Sequence, residues 1–191
     1  MDGEEPVISL DLPAGPLSDE TQAYFAKCEE KLGLVPNVLR AYAFDETKLR
    51  AFTQMYNELM LGDSGLSKLE RELVAVVVSA ANRCHYCVIA HGAALRALCG
   101  DADLVDTLVV NWRVAKLEPR HRAMAAYAAA LTDAPDAAGP HLYEGLRAVG
   151  LSDRDIWDLT AVVGFFNMSN RVASATRMAP NEEYYAAARK T

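Results

Sequence analysis

Residues 66–98 read LSKLERELVAVVVSAANRCHYCVIAHGAALRAL, and their pattern predicts a helical hairpin. Ser67 followed three residues later by Glu70 has the form of a capping box, in which hydroxyl and carboxylate satisfy each other's backbone N–H groups. From Lys68 to Ala81 there is no Gly or Pro, and the run Val76, Val77, Val78 is apolar on every side of a helix. Such a helix is buried. The chain is expected to turn at Asn82-Arg83 and to start a second helix near Cys84. Gly100 follows where a left-handed C-cap is usual.

The hairpin carries Glu72, Cys84, His85, Cys87 and His91. Residues three and four apart share a helix face. Cys84 and Cys87 therefore come within disulfide reach, and His91 lies one turn beyond Cys87. Ala94, Leu95 and Leu98 continue the stripe, which turns Cys87 and His91 toward the interior. Cys84 sits at the helix start, where unpaired N–H groups and the macrodipole favour a thiolate. Glu72 lies on the other arm, and an antiparallel return is expected to bring it level with Cys84.

The cluster admits three chemistries. A redox dithiol needs a thiolate, a resolving thiol and a base. A metal site could use the same Cys, His and Glu types, but structural zinc takes four ligands, and a second CxxC is missing from the sequence. A purely structural role would leave two buried cysteines and a satisfied histidine. The histidine at i+4 favours the redox dithiol, with no metal.

A glutamate at 72, cysteines at 84 and 87 and a histidine at 91 resemble the signature of the AhpD-like alkylhydroperoxidase family, within the carboxymuconolactone decarboxylase-like superfamily. CHYCVIAHGAALR over 84–96 and GLVPNVLRAYA over 33–43 resemble its peroxidase-related branch, so the likeness runs through most of the chain from Leu34. The resemblance implies an all-α AhpD-like helical bundle, oligomeric assembly, and hydroperoxide reduction by thiols in which the second cysteine attacks. One position departs: Tyr86 stands where AhpD has a histidine. His85 is displaced by one residue, about 100° around a helix. His85 and Tyr86 are therefore assigned a tuning or substrate-binding role rather than a place in the relay.

Composition bounds the rest. The 191 residues are 51% hydrophobic and 24% charged, enough for one globular domain with an ample core. Twenty-six acidic against 19 basic residues give a net charge of −7, which argues against nucleic acid or an anionic membrane as partner. MDGEEPVISL lacks the basic region and apolar core of a signal peptide, and the apolar run Leu73–Ala81 is too short to span a bilayer. A cytoplasmic location is expected, where CxxC more often means redox chemistry or metal than a structural bridge. Cys28 and Cys99 have no base nearby in sequence and are expected to be plain thiols.

Residues 1–17, with Pro6, Pro13 and Pro16, are expected to form an extended arm on a single helical domain over 18–191, its redox hairpin at 66–99. Val7, Ile8, Leu10 and Leu12 suit the arm to packing on something, a neighbouring subunit being one candidate. Helices are predicted from Ser18 to Gly33, Pro36 to Tyr42, Asp45 to Met60, Ala102 to Val110, Pro119 to Leu131 and His141 to Val149. His121 and His141 are expected at the surface or at caps. A last long helix spans 151–178, where LTAVV at 159–163 echoes LVAVV at 73–77, a weak internal repeat without the cysteines. Its Asn167, Asn170 and Arg171 either line the pocket or a subunit contact, or are capping and exposed groups. Asn181 is expected to cap a terminal helix, NEEYYAAARK.

The functional expectation is an oxidoreductase of the thiol peroxidase kind, with no cofactor. Its partners are a hydroperoxide substrate, a protein or small-thiol reductant, and further copies of the chain. The helix dipole favours attack by Cys84. The histidine and the resemblance favour Cys87, which is taken as the peroxidatic thiol, with Cys84 resolving, His91 as base and Glu72 as its partner. A general thiol–disulfide oxidoreductase, and a non-enzymatic oligomer whose dithiol senses oxidation, remain open on sequence alone. A decarboxylase is disfavoured, because a dithiol is not needed for that chemistry.

Overall fold

A computed structural model describes residues 6–189. Ten α-helices follow in order among them: α1 (Asp19–Leu32), α2 (Asn37–Tyr42), α3 (Glu46–Leu61), α4 (Lys68–Ala81), α5 (His85–Cys99), α6 (Ala102–Asn111), α7 (Pro119–Asp133), α8 (Pro140–Ala148), α9 (Asp153–Ala175) and α10 (Glu183–Ala186). The described residues contain no strand, in line with the all-α expectation. No helix among them is long and apolar enough to cross a membrane.

The bundle is built around α4. Every residue from Glu70 to Ser79 is buried, because α5, α7 and α9 pack on it from different sides. Val74, Val76, Val77 and Val78 form its inner surface, and each such side chain contributes roughly 1.5–3 kcal/mol on burial. The alanines of α7, Ala125, Ala128 and Ala129, let that helix come close. From α9, Leu159, Val162, Val163, Phe165 and Phe166 complete the core.

Local chemistry starts the helices where the sequence predicts. Ser18, Asp45, Asp101 and Ser152 accept an N–H from the first turn, as does Ser67. Both halves of the internal repeat carry a full capping box, Ser67 with Glu70 and Ser152 with Asp155. The α3–α4 connection is tied down by buried Arg71, whose guanidinium donates to the carbonyls of Leu59, Gly62 and Leu66.

Four details differ from expectation. Leu98 is 45% exposed, because the last turn of α5 lies at the surface. A short 3-10 turn, Trp112–Val114, follows α6, with the Asn111 side chain accepting from Arg113 N–H. The terminal helix is only Glu183–Ala186 long, and Lys190, the last residue of the expected NEEYYAAARK helix, lies outside the described residues. Asn181 does not cap that helix with its side chain. It is buried against the α1–α2 connection, where its oxygen accepts from Asn37 N–H at 2.7 Å and its amide donates to the Val35 carbonyl.

The first five residues of the expected arm lie outside the described residues. From Pro6 to Leu17 the chain has no regular secondary structure, and it folds back on its own domain. Ser9 N–H donates to the Thr176 carbonyl at 2.8 Å, and Ala179 N–H donates to the Val7 carbonyl at 2.9 Å.

Candidate functional site

The site begins at the turn of the α4–α5 hairpin. Arg83 takes the left-handed conformation with φ 54°, unusual for a residue with a side chain, and reverses the chain in two residues. Cys84 follows in extended conformation as the N-cap of α5, and its N–H donates to the Ser79 carbonyl at 2.9 Å. This fixes the register of the two arms. Seven residues further from the turn on each arm, two helical turns on, Glu72 meets His91. Their Oε2 and Nδ1 atoms are 2.7 Å apart. The expectation that Glu72 lies level with Cys84 is thus corrected: Ser79 holds that place, and Glu72 is level with the histidine.

Cys84 and Cys87 are free thiols, 0% and 1% exposed. They form an apolar cluster with Tyr86, Ala41 of α2, Ala173 of α9 and Met178, and Val7, Ile8, Val38 and Ala90 pack against it. Hydrogen bonding from the Cys87 thiol lowers the Cys84 pKa to about 6 despite burial, and Ser174 and the charge of His91 act in the same direction. The Cys87 thiol is pushed well up by the same bond to Cys84 and by burial. One proton therefore leaves the pair near pH 6, and the second is held between the sulfurs, mainly on Cys87.

Glu72 and His91 are nearly enclosed, with side-chain exposures of 10% and 13%. The imidazole edge meets the Phe166 ring at 4.6 Å between centroids. With Nδ1 engaged by the carboxylate, Nε2 is the atom left to take or give a proton. Two phenols escaped the sequence reading. Burial first, and then the negative charge of Glu72, raise the Tyr56 pKa, and Tyr184 is raised by burial with Glu72 contributing. They come from α3 and α10, far from the hairpin in sequence, and no spacing signals them. Buried Arg96 holds α10 in place by donating to the Tyr184 and Ala187 carbonyls.

The polar residues of α9 form a directed chain. Asn167 donates to the Val163 carbonyl and to Thr132 Oγ1, so its oxygen must accept, and Asn82 Nδ2 donates to it at 3.1 Å. The same Asn82 amide donates to Asn170 Oδ1 at 3.0 Å. Asn170 Nδ2 is then the donor end, bonded to Ser79 Oγ at 3.1 Å and acting, with Ser169, to favour a thiolate on Cys87. Of the three residues singled out on this helix, Asn170 reaches the dithiol. Asn167 supports it at a distance, and Arg171 is exposed, donating back to Asn167.

Tyr86 and His85 part company. The Tyr86 hydroxyl accepts from Val38 N–H at 3.1 Å within the cysteine cluster. His85 is exposed, its Nε2 3.0 Å from the Tyr185 hydroxyl, so the structure does not bring it to the sulfurs. His121 is half-buried and lies 3.8 Å from Glu70. Among the described residues no three His, Cys, Asp or Glu side chains converge as a metal centre requires. A groove of about 820 Å³ between α1 and α3, lined by residues such as Tyr24, Lys27, Arg50 and Asn57, contains none of the cysteines or histidines. The chemistry belongs to the hairpin: a thiolate, a second thiol beside it, and an enclosed carboxylate–imidazole pair one to two turns away.

Comparison with known proteins agrees with this architecture. The sequence profile of the carboxymuconolactone decarboxylase family matches residues 48–113. An uncharacterized peroxidase-related protein from a Silicibacter species is 58% identical, with 99% of each chain covered and a TM-score of 0.93. An uncharacterized peroxidase-related protein from Ralstonia eutropha, described as an alkylhydroperoxidase AhpD core, is 37% identical over 98% of this chain and 99% of its own, also at a TM-score of 0.93. A debrominase shares the fold, at 17% identity over 91% of this chain and 94% of its own and a TM-score of 0.74. A search of curated proteins gives no match.

Proposed function

We propose that this chain, which belongs to the AhpD-like proteins of the carboxymuconolactone decarboxylase family, is a thiol-dependent peroxidase that reduces organic hydroperoxides at Cys84 and Cys87. The observation that carries this reading is the placement of a low-pKa cysteine at a helix N-cap, bonded to a second buried thiol, with the Glu72–His91 pair on the same hairpin.

In the proposed reaction Cys87 attacks the terminal peroxide oxygen as its proton passes to the Cys84 thiolate. The S–O bond forms and the O–O bond breaks. The leaving alkoxide takes a proton by way of Cys84 or His91 Nε2 and departs as the alcohol. Cys84, again a thiolate, attacks the sulfur of the Cys87 sulfenic acid. An S–S bond forms, the S–O bond breaks, and hydroxide leaves as water after taking a proton. The dithiol has then given two electrons to the peroxide. A protein or small-molecule thiol reductant returns two electrons and two protons. The more basic thiolate is the stronger nucleophile, which suits Cys87 to attack and Cys84 to act first as base and then as resolving thiol.

Glu72 orients the imidazole through Nδ1 and leaves Nε2 as the relay atom. The apolar cluster around the sulfurs suits a substrate with an apolar organic group. We further propose that the protein works as a homo-oligomer. Trp157 and Met168 on α9 are exposed apolar side chains, Trp157 at 72%, on a face that a second copy would cover.

Turnover tests the reading. Reduced protein with excess cumene hydroperoxide and dithiothreitol should yield cumyl alcohol over many cycles. A single round of thiol oxidation followed by arrest would point instead to a redox sensor.

A further inference from the structure

The sulfurs that must meet a hydroperoxide are sealed. Four surfaces close over them: α2 through Val38 and Ala41, the end of α9 through Ala173 and Met178, Tyr86 from α5 itself, and the arm through Val7 and Ile8. These differ in what holds them. Tyr86 and Val38 are locked together by a hydrogen bond, and Ala173 lies in the longest helix of the bundle. The arm has no regular secondary structure. Near the sulfurs it is held by the two backbone bonds of Val7 and Ser9 and by Ser9 Oγ donating to the Thr176 carbonyl at 3.0 Å.

Beyond Ser9, Leu10 and Leu12 are exposed, Leu10 at 53%. Among the described residues, the next backbone bond from the arm to the domain is at Gly15, whose N–H donates to the Ala43 carbonyl at 2.9 Å. There the backbones approach so closely that a Cβ on Gly15 would lie 2.7 Å from the Phe44 carbonyl oxygen. Among the described residues, the segment over 7–12 is thus tethered at one end and held by few backbone bonds at the other. Segments with few buried contacts and few backbone bonds open locally at low cost.

We propose that residues 7–12 form a strap across the entrance to the dithiol, with Val7 and Ile8 occupying the place where the organic group of a substrate binds. Peeling the strap from Thr176–Ala179 about Gly15 opens an apolar subsite lined by Val38, Ala41, Tyr86 and Met178. A charged organic group would have to shed its hydration there without a partner, so the subsite takes an apolar one. The choice of a hydroperoxide as occupant rests on the peroxidase reading; the strap itself does not.

Alkylation of Cys84 by N-ethylmaleimide, followed by peptide mass spectrometry at fixed pH, reads access without reference to peroxide. Ser9→Pro removes both donors to the Thr176 carbonyl. Loss of one or two hydrogen bonds shifts the opening equilibrium about tenfold, and the Cys84 rate should rise by that factor. Ser9→Ala keeps the backbone donor and should change it little. The double variant Val7→Ala/Ile8→Ala should also accelerate alkylation, and it decides the matter alone if Ser9→Pro loses helical circular dichroism. Cys28, in α1, should keep its wild-type rate throughout. Unchanged Cys84 rates in both variants would overturn the strap, as would a rise shared equally by Cys28, which reports general loosening. If Cys84 becomes accessible while no variant reduces cumene hydroperoxide, the strap stands and the peroxidase reading falls. If peroxide is reduced with unchanged access, the strap falls and the peroxidase stands.

Discussion

Glu72 and His91 meet 2.7 Å apart across the hairpin, two turns from the bend that places Cys84 against Ser79. The pair is the polar interior of a hairpin whose other residues are largely apolar. The Phe166 ring packs edge-on against the imidazole, and both side chains are nearly enclosed. His91→Ala should slow peroxide reduction by about two to four powers of ten, the usual worth of a positioned base. Glu72→Gln keeps a hydrogen bond but loses the charge behind the ring, and should cost about ten- to a hundredfold. Stopped-flow loss of thiols measures both, and a His91→Ala variant at wild-type rate would remove the relay from the mechanism.

The pH dependence follows from the sulfurs. With the Cys84 pKa lowered to about 6, the thiolate needed for reaction forms as pH rises through that value and is nearly complete at neutrality. The thiolate absorbance in the ultraviolet and the peroxide rate should therefore rise together through about pH 6. The same shift stabilises the fold fully above the unfolded thiol pKa, about 8.5. That contribution shrinks as pH falls and is gone below about 6. A single thiol titration above pH 8 in the reduced protein would contradict this assignment.

Asn170 lies on one of two branches that run outward from the Asn82 amide, donating on to Ser79, while the other passes through Asn167 to Thr132 and the Val163 carbonyl. Asn170→Leu leaves the buried Ser79 hydroxyl without its donor and Asn82 with Asn167 alone, and should cost roughly 1–3 kcal/mol in urea unfolding. Asn170→Asp puts a carboxylate beside Cys87. The pH profile of peroxide reduction should move to higher pH in that variant, whereas a purely structural asparagine would leave the profile in place.

The hairpin, its capping box and the buried face of α4 could be read from local pattern, because each is decided within a few residues. The CxxC with His91 could be read for the same reason. The family resemblance pairs Glu72 with His91, but the register that joins them could not be read, because it depends on the left-handed Arg83, and a positive φ at an arginine has no sequence signal. Asn181 looked like a cap because asparagine before an acidic helix usually is one, yet tertiary folding brings the α1–α2 connection against it. Tyr56 and Tyr184 come under the charge of Glu72 from distant parts of the chain, and only the folded bundle shows it.

The division of labour between the cysteines is separable by substitution. In Cys84→Ser the base and resolving thiol are gone. Attack should be slower, and a sulfenic acid should persist on Cys87, where dimedone traps it. In Cys87→Ser no adduct should form on Cys84. Dimedone on Cys84 in the second variant, with none on Cys87 in the first, would reverse the roles.

The central claim, that the dithiol itself reduces hydroperoxide, is tested most directly by one equivalent of cumene hydroperoxide added to the fully reduced protein. Peptide mass spectrometry should then find Cys84 joined to Cys87, Cys28 and Cys99 still reduced, and one cumyl alcohol formed for each disulfide. Peroxide left intact, with all four thiols free, would contradict it.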